Sequence, residues 1–280
     1  KIEDAVYLFG LTDGIPFNIA EMDSAAGFFE NVERKLLRKD QLLYEEPQLL
    51  LKEELREPHL YKQILKAIAG GCTKLTDICN KSGVPQNQIT KYLNVLLELN
   101  FIEKRVPVTV RKPISKQTLY FVKDNFFLFY FRFVEPNKYL IEQDKQDEVV
   151  AKIRPEIDNF IGRFVFERVA WELAADGKLQ SMLPKVAFTK IGSWWSRHDE
   201  IDLVLLNEES MDIVFCEVKW GRLSARERQA IEYRLREKAR SVEWNNSRRK
   251  EYFLIFDRRD LETLFKQARQ PAQPLRSREK

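Results

Sequence analysis

Arg197–Trp220 reads RHDEIDLVLLNEESMDIVFCEVKW. Two apolar runs, Ile201–Leu206 and Met211–Val218, flank the polar stretch Asn207-Glu208-Glu209-Ser210. Short apolar runs around turn-forming residues predict a β-hairpin. With the turn centred between Glu208 and Glu209, Leu206 faces Met211 and Asp202 faces Phe215. Side chains alternate along a strand, so Glu217 and Lys219 continue the face that holds Asp202. Asp202 and Glu217 become diagonal cross-strand neighbours, roughly 7–8 Å apart at Cα. The reading requires an even loop, because a slip of one residue carries Asp202 to the other face.

The other positions are apolar on both faces: Val204, Leu206, Ile213 and Phe215 on one, Leu203, Leu205, Val214 and Val218 on the other. Such strands are covered on both sides. A buried carboxylate pair is costly unless an ion or a partner compensates it. Two readings fit. In one, Glu217 and Lys219 form a structural ion pair near a strand end. In the other, Asp202 and Glu217 share a hard divalent ion such as Mg²⁺ (or Mn²⁺), and Lys219 orients or deprotonates a water, as in metal-dependent phosphodiester hydrolysis. Spacing alone does not choose between them.

Composition narrows the classes. The 280 residues predict two or three domains, and 44% apolar content with 19 Phe is ample for their cores. A net charge of +4 is too small for a wholly basic binder, so nucleic-acid contact must come from a local patch. No long apolar run suggests a membrane span, and no signal peptide is recognised. Cys72, Cys79 and Cys216 lack metal-ligand spacing and read as reduced, structural and cytoplasmic. With only His59 and His198, a histidine-rich zinc site is excluded. The chain opens on Lys1 in what reads as the middle of a domain, so a fragment is expected.

Residues 1–50 read as short helices, with a break at Thr12-Asp13-Gly14-Ile15-Pro16 and Ser24 as a cap. Leu60, Ile64, Leu65 and Ile68 mark an amphipathic helix after Pro58. Leu75, Ile78 and Cys79 mark a second, and Ile89, Leu93, Leu96 and Leu97 a third over Gln88–Leu99. Phe101–Val108 and Thr118–Val122 follow as strands around a basic loop. Three helices and a hairpin with a basic tip predict a winged helix-turn-helix. There the third helix would present Gln86, Asn87, Gln88, Thr90, Lys91 and Asn94 to DNA, while Arg111, Lys112 and Lys116 touch backbone phosphates. A winged helix that docks protein instead is the alternative.

The aromatic run Asp124–Val134 reads as a buried helix joining domains rather than a base-stacking surface. The tandem Trp194 and Trp195 would either clamp a nucleic-acid strand or seal a sheet edge. Helix, hairpin, charged helix (Ser224–Trp244), strand (Tyr252–Asp257) and last helix (Asp260–Ala268) give an α/β layer order.

Asp202 followed fifteen residues later by Glu217-Val218-Lys219 resembles the D…E-x-K signature of the restriction-endonuclease-like nucleases. The resemblance implies metal ligation by Asp202, Glu217 and the Val218 carbonyl, with Lys219 serving the water. An acid on the preceding helix is implied as well, and Glu167 in GRFVFERVAWEL fits it, with Glu200 a spare. The strings LTDGIPFNI, LYEEPQLLLKEELREP, EKRVPV, DNFFLFYFRFVEPN, KIGSWW, EIDLV and CEVKW extend the likeness over nearly the whole chain. They are similar to the archaeal-type P-loop (AAA) ATPases, also bacterial, whose C-terminal domain of unknown function has a restriction-endonuclease-like fold.

That likeness implies a multidomain α+β and α/β chain. Residues 1–50 would end the ATPase lid, 51–122 form the winged helix, and 123–150 an aromatic helix and connector. Residues 151–270 would form the restriction-endonuclease-like α/β/α domain, and 271–280 a disordered tail. The chain lacks G-x-x-x-x-G-K-[ST], so ATP is not expected to bind here. The implied partners are DNA and an N-terminal ATPase domain, with no membrane. A non-catalytic binding module and a toxin–antitoxin-like interaction protein are the competing expectations.

Overall fold

The computed structural model describes residues 1–111 and 117–269. Lys112, Lys116 and the tail at 271–280 lie outside the described residues. The chain divides into two compact units, Glu3–Val165 and Phe166–Lys280. It is a mixed α/β structure with a two-stranded and a four-stranded sheet. Among the described residues, no helix is long and apolar enough to cross a membrane.

The first unit opens with α1 (Ile2–Thr12), α2 (Pro16–Ala20), α3 (Phe28–Asn31) and α4 (Leu42–Glu54). Ser24 does not cap α3: Gly27 holds that position, with no side-chain hydrogen bond. Next come α5 (Pro58–Ala69), α6 (Leu75–Ser82) and α7 (Gln86–Glu98). Pro58 starts α5 where its missing N–H costs nothing. Gly83 ends α6 at φ 72°, a conformation glycine adopts without strain. Ile78, Ile89, Leu93 and Leu96 are buried, as their spacing predicts. The strands β1 (Ile102–Arg105) and β2 (Leu119–Val122) pair antiparallel. Both are shorter than expected. Pro107, which cannot donate to a ladder, falls just beyond β1.

The aromatic run becomes α8 (Asn125–Phe129), then a π-helical turn over Tyr130–Val134 and a 3₁₀ turn over Glu135–Asn137. Asp124 caps it, accepting from the Phe127 N–H at 2.6 Å. The run is buried, and Phe129, Phe133 and Phe160 meet with ring centres 5.0–5.7 Å apart. It is core within this unit. α9 (Lys138–Glu142), α10 (Gln146–Ile153) and α11 (Ile157–Phe160) complete the unit.

The second unit holds α12 (Glu167–Ala175), β3 (Lys190–Trp195), β4 (Glu200–Asn207), β5 (Asp212–Lys219), α13 (Ala225–Arg240), β6 (Lys250–Asp257) and α14 (Arg258–Arg269). The sheet order is β3-β4-β5-β6. The first three strands are antiparallel, and α13 makes the crossover that brings β6 parallel to β5. The tandem tryptophans lie on the edge strand β3, with Trp194 buried. α13 covers the face of Phe215, Glu217 and Phe253, where the Arg236 guanidinium lies 4.0 Å from the Phe253 ring centre. On the other face Phe166, at the start of α12, stacks on Phe256 at 5.4 Å and meets Trp220 edge-on. Cover on both faces is why β4 and β5 read as nearly continuous apolar runs.

Candidate functional site: two carboxylates and two lysines on a sheet face

The β4–β5 pair places the site. Its register pairs Leu203 with Cys216, Val204 with Phe215, and Asn207 with Asp212. This corrects the expected pairing of Asp202 with Phe215. The turn is Glu208–Met211, one position later than a turn centred on Glu208 and Glu209. The Asn207 side chain accepts from the Glu209 and Ser210 N–H groups at 2.8 and 2.9 Å. Met211 closes the turn in the left-handed region, at φ 60°. The loop stays even, so the faces are as expected, and continuing the register one residue past Leu203 and Cys216 sets Asp202 opposite Glu217 rather than diagonal to it.

The strand pair fastens the acids together. Asp202 Oδ2 accepts from the Val218 main-chain N–H at 2.8 Å. The Lys219 ammonium donates to Glu217 Oε1 at 2.9 Å, to the Val218 carbonyl at 3.1 Å and to Asp202 Oδ2 at 3.2 Å. Three oxygens thus converge on one cation. The Asp202 and Glu217 side chains are 11% and 10% exposed and Lys219 is 39% exposed, so solvent reaches this point from the lysine side.

Sequence reasoning missed a second lysine. Lys238, on α13, donates to Glu217 Oε1 at 3.2 Å and Oε2 at 3.1 Å. Leu235, Ala239 and Val242 are buried along that segment, and Lys238 directly precedes Ala239. The charged helix was expected; which of its lysines meets the acid was not.

Burial raises the Asp202 pKa above the ordinary aspartate range and the Glu217 charge adds to this; Lys219 and the Val218 N–H act against it. Burial alone would lower the Lys219 pKa, but Asp202 and Glu217 outweigh it and raise the value. The thiol of Cys216 is pushed well up, by burial first and then by both acids, which leaves it a poor nucleophile.

The other candidates lie as follows. Val218 is buried, and its carbonyl joins the site. Glu167 opens α12 and is half-buried; Glu200 begins β4 and is exposed. Among the described residues, no group of three or more His, Cys, Asp and Glu side chains is placed to hold a metal ion. The site's donor set is therefore two carboxylates and one carbonyl. Asp257 aligns with Lys219 across β5 and β6, but its carboxylate is taken up by the Leu223, Arg259 and Asp260 N–H groups and by Arg228. In the first unit Gln86, Asn87, Gln88, Thr90, Lys91 and Asn94 are all exposed on α7, and Arg111 is exposed.

Residues 130–231 match the family model DUF234, described as archaea bacterial proteins of unknown function. An uncharacterized protein of Methanocaldococcus jannaschii is 38% identical over 240 residues, covering 86% of this chain and 53% of the relative. The chain thus spans about half the length of that relative. No solved structure matches.

Proposed function

We propose that this chain is the DNA-binding, nuclease-type part of an archaeal-type ATPase, with a divalent-metal phosphodiesterase centre at Asp202, Glu217 and Lys219. One observation carries the reading. The Asp202 and Glu217 oxygens and the Val218 carbonyl, all hard donors, already converge on a cation, the Lys219 ammonium. That donor set suits Mg²⁺ or Mn²⁺, with water and phosphate oxygens completing the shell. The fold reading that goes with it is restriction-endonuclease-like, supported by the D…E-x-K signature and by helices on both faces of a mixed sheet.

Asp202, Glu217 and the Val218 carbonyl would hold the ion. When bound, it supplies charge to the phosphate and acidity to a water. Asp202 is kept in place by the Val218 N–H, so it meets the centre without a search among rotamers. The Lys219 ammonium, freed from the acids, stands ready to orient the attacking water or neutralise the phosphate. Glu167 is the acid that the resemblance assigns to the preceding helix.

The three helices and strand pair of the first unit fit a winged helix. We assign it DNA contact through Gln86, Asn87, Gln88, Thr90, Lys91 and Asn94, with Arg111, Lys112 and Lys116 on backbone phosphates. The exposure of every one of the six α7 residues supports this assignment.

A second reading has its own support. Two lysines already balance the two acids, as they would in a structural ion cluster. The chain would then be a non-catalytic binding module. Incubation with single-stranded, duplex and branched DNA in Mn²⁺, with Asp202→Ala alongside, separates the two. Cleavage lost in the variant supports the nuclease; retarded bands without cleavage support the binding module.

A further inference from the structure

Lys219 accounts for one face of the acid pair, and the metal-dependent reading uses it. Lys238 is left without a role. Its ammonium bridges both oxygens of Glu217, at 3.1 and 3.2 Å, and reaches them from a helix rather than from the strand pair. That approach is fixed at both ends of α13. At the start, Ser224 and Glu227 form a reciprocal cap, and Arg228 ties the first turn to Asp257 and the Ile255 carbonyl. At the end, the Arg249 guanidinium donates to the Ala239 carbonyl at 2.9 Å and also bonds the Val242 and Trp244 carbonyls. Lys238 lies in the last turn, immediately before Ala239. A lysine on an anchored helix, bonded to both oxygens of a buried carboxylate, sets a positive charge against any divalent ion that would bind there.

We infer that Lys238 is a positioning residue of the centre, a tethered cation that holds Glu217 and competes with a divalent ion for it. The inference rests on the metal-dependent reading above. The physical argument is competition between like charges: Glu217 is 10% exposed, and a divalent ion on it would share one poorly solvated carboxylate with the Lys238 ammonium, so each weakens the other's hold. With Glu217 given up to such an ion, the Lys238 ammonium would stay on its anchored helix, free to attract an anionic phosphate. Lys238 thus sets how tightly the centre holds its metal before a phosphate arrives. A lysine that only secures the fold would leave metal affinity alone.

The test is calorimetric titration of Mn²⁺ into the full chain, comparing wild type with Lys238→Met, Lys238→Arg and Arg240→Met. Arg240 lies on the same helix, 76% exposed and paired with Glu237, and serves as a control for charge. Lys238→Met is expected to bind Mn²⁺ at least fivefold more tightly, Lys238→Arg within twofold of wild type, and Arg240→Met unchanged. Unchanged or weaker binding by folded Lys238→Met, or equal tightening by Arg240→Met, overturns the inference while the metal-dependent reading stands. Absence of Mn²⁺ binding in every protein overturns both. Should Lys238→Met not fold by circular dichroism, Lys238→Gln, which keeps a donor but no charge, must show the tightening, and unchanged affinity there overturns the inference equally.

Discussion

The main-chain N–H of Val218 donates to Asp202 Oδ2 at 2.8 Å, so one strand's carboxylate is bound to the backbone of the strand that carries Glu217. The two acids are therefore placed by sheet register rather than by side-chain freedom. Register is a rigid property of a covered strand pair, so the proposed cation would meet two acids already set in place.

Burial and the Glu217 charge raise the Asp202 pKa. The folded protein therefore holds this proton more tightly than the unfolded chain does. The resulting contribution to stability is present below the unfolded value and lost as pH rises through the folded one. Asp202→Asn keeps an acceptor for the Val218 N–H and removes the titration. Urea unfolding of the metal-free proteins at a series of pH values should show wild type losing stability relative to Asp202→Asn across that window. In Mn²⁺ the proton competes with the metal, so wild-type affinity should fall as pH is lowered through the same raised value. A pH-independent difference between the proteins would contradict the assignment.

The Lys219 pKa is raised, since Asp202 and Glu217 outweigh its burial. Its pairing therefore stabilises the fold at pH values below the unfolded lysine value, about 10.4. That contribution is lost as pH rises through the folded value above it. Lys219→Met should lack this alkaline loss. Thermal melts of both proteins in alkaline buffers check it, with convergence of their melting temperatures at the top of the range as the expected result.

Much of this site was legible, and the limits have physical causes. A period of two assigned Asp202, Glu217 and Lys219 to one face, and the structure brings them together. The register was displaced because the Asn207 side chain closes the turn and Met211 takes a left-handed conformation, which no sequence rule assigns to methionine. The charged helix carrying Lys238 was expected, but a contact between a helix and a strand 21 residues away depends on packing, not on periodicity. The π-helical turn at Tyr130–Val134 has no sequence signature either. Its burial was clear from the aromatic density alone.

Phe166 stacks on Phe256 and meets Trp220 beneath the sheet face opposite the acids. Phe166→Ala should cost about 3–5 kcal/mol in urea unfolding, because the rings around it leave a cavity that cannot close. In the first unit, Asp124→Ala removes the cap of α8 and should cost about 1 kcal/mol. A loss well under half of either figure would show that the packing or the cap is not as described.

DNA contact through α7 predicts a salt-dependent signature. Lys91→Ala should weaken binding similarly across unrelated sequences and reduce the slope of log affinity against log salt by about 1. Fluorescence anisotropy at several salt concentrations measures it. An unchanged slope would remove Lys91 from the contact surface.

The central claim is that Asp202, Glu217 and the Val218 carbonyl hold a divalent ion where the Lys219 ammonium now sits. Calorimetric titration of Mn²⁺ into wild type and Glu217→Ala tests it most directly. The account predicts saturable binding of one ion per chain that disappears in the variant. No binding to wild type, or binding that survives the loss of Glu217, would contradict it and leave the four charges as a structural cluster.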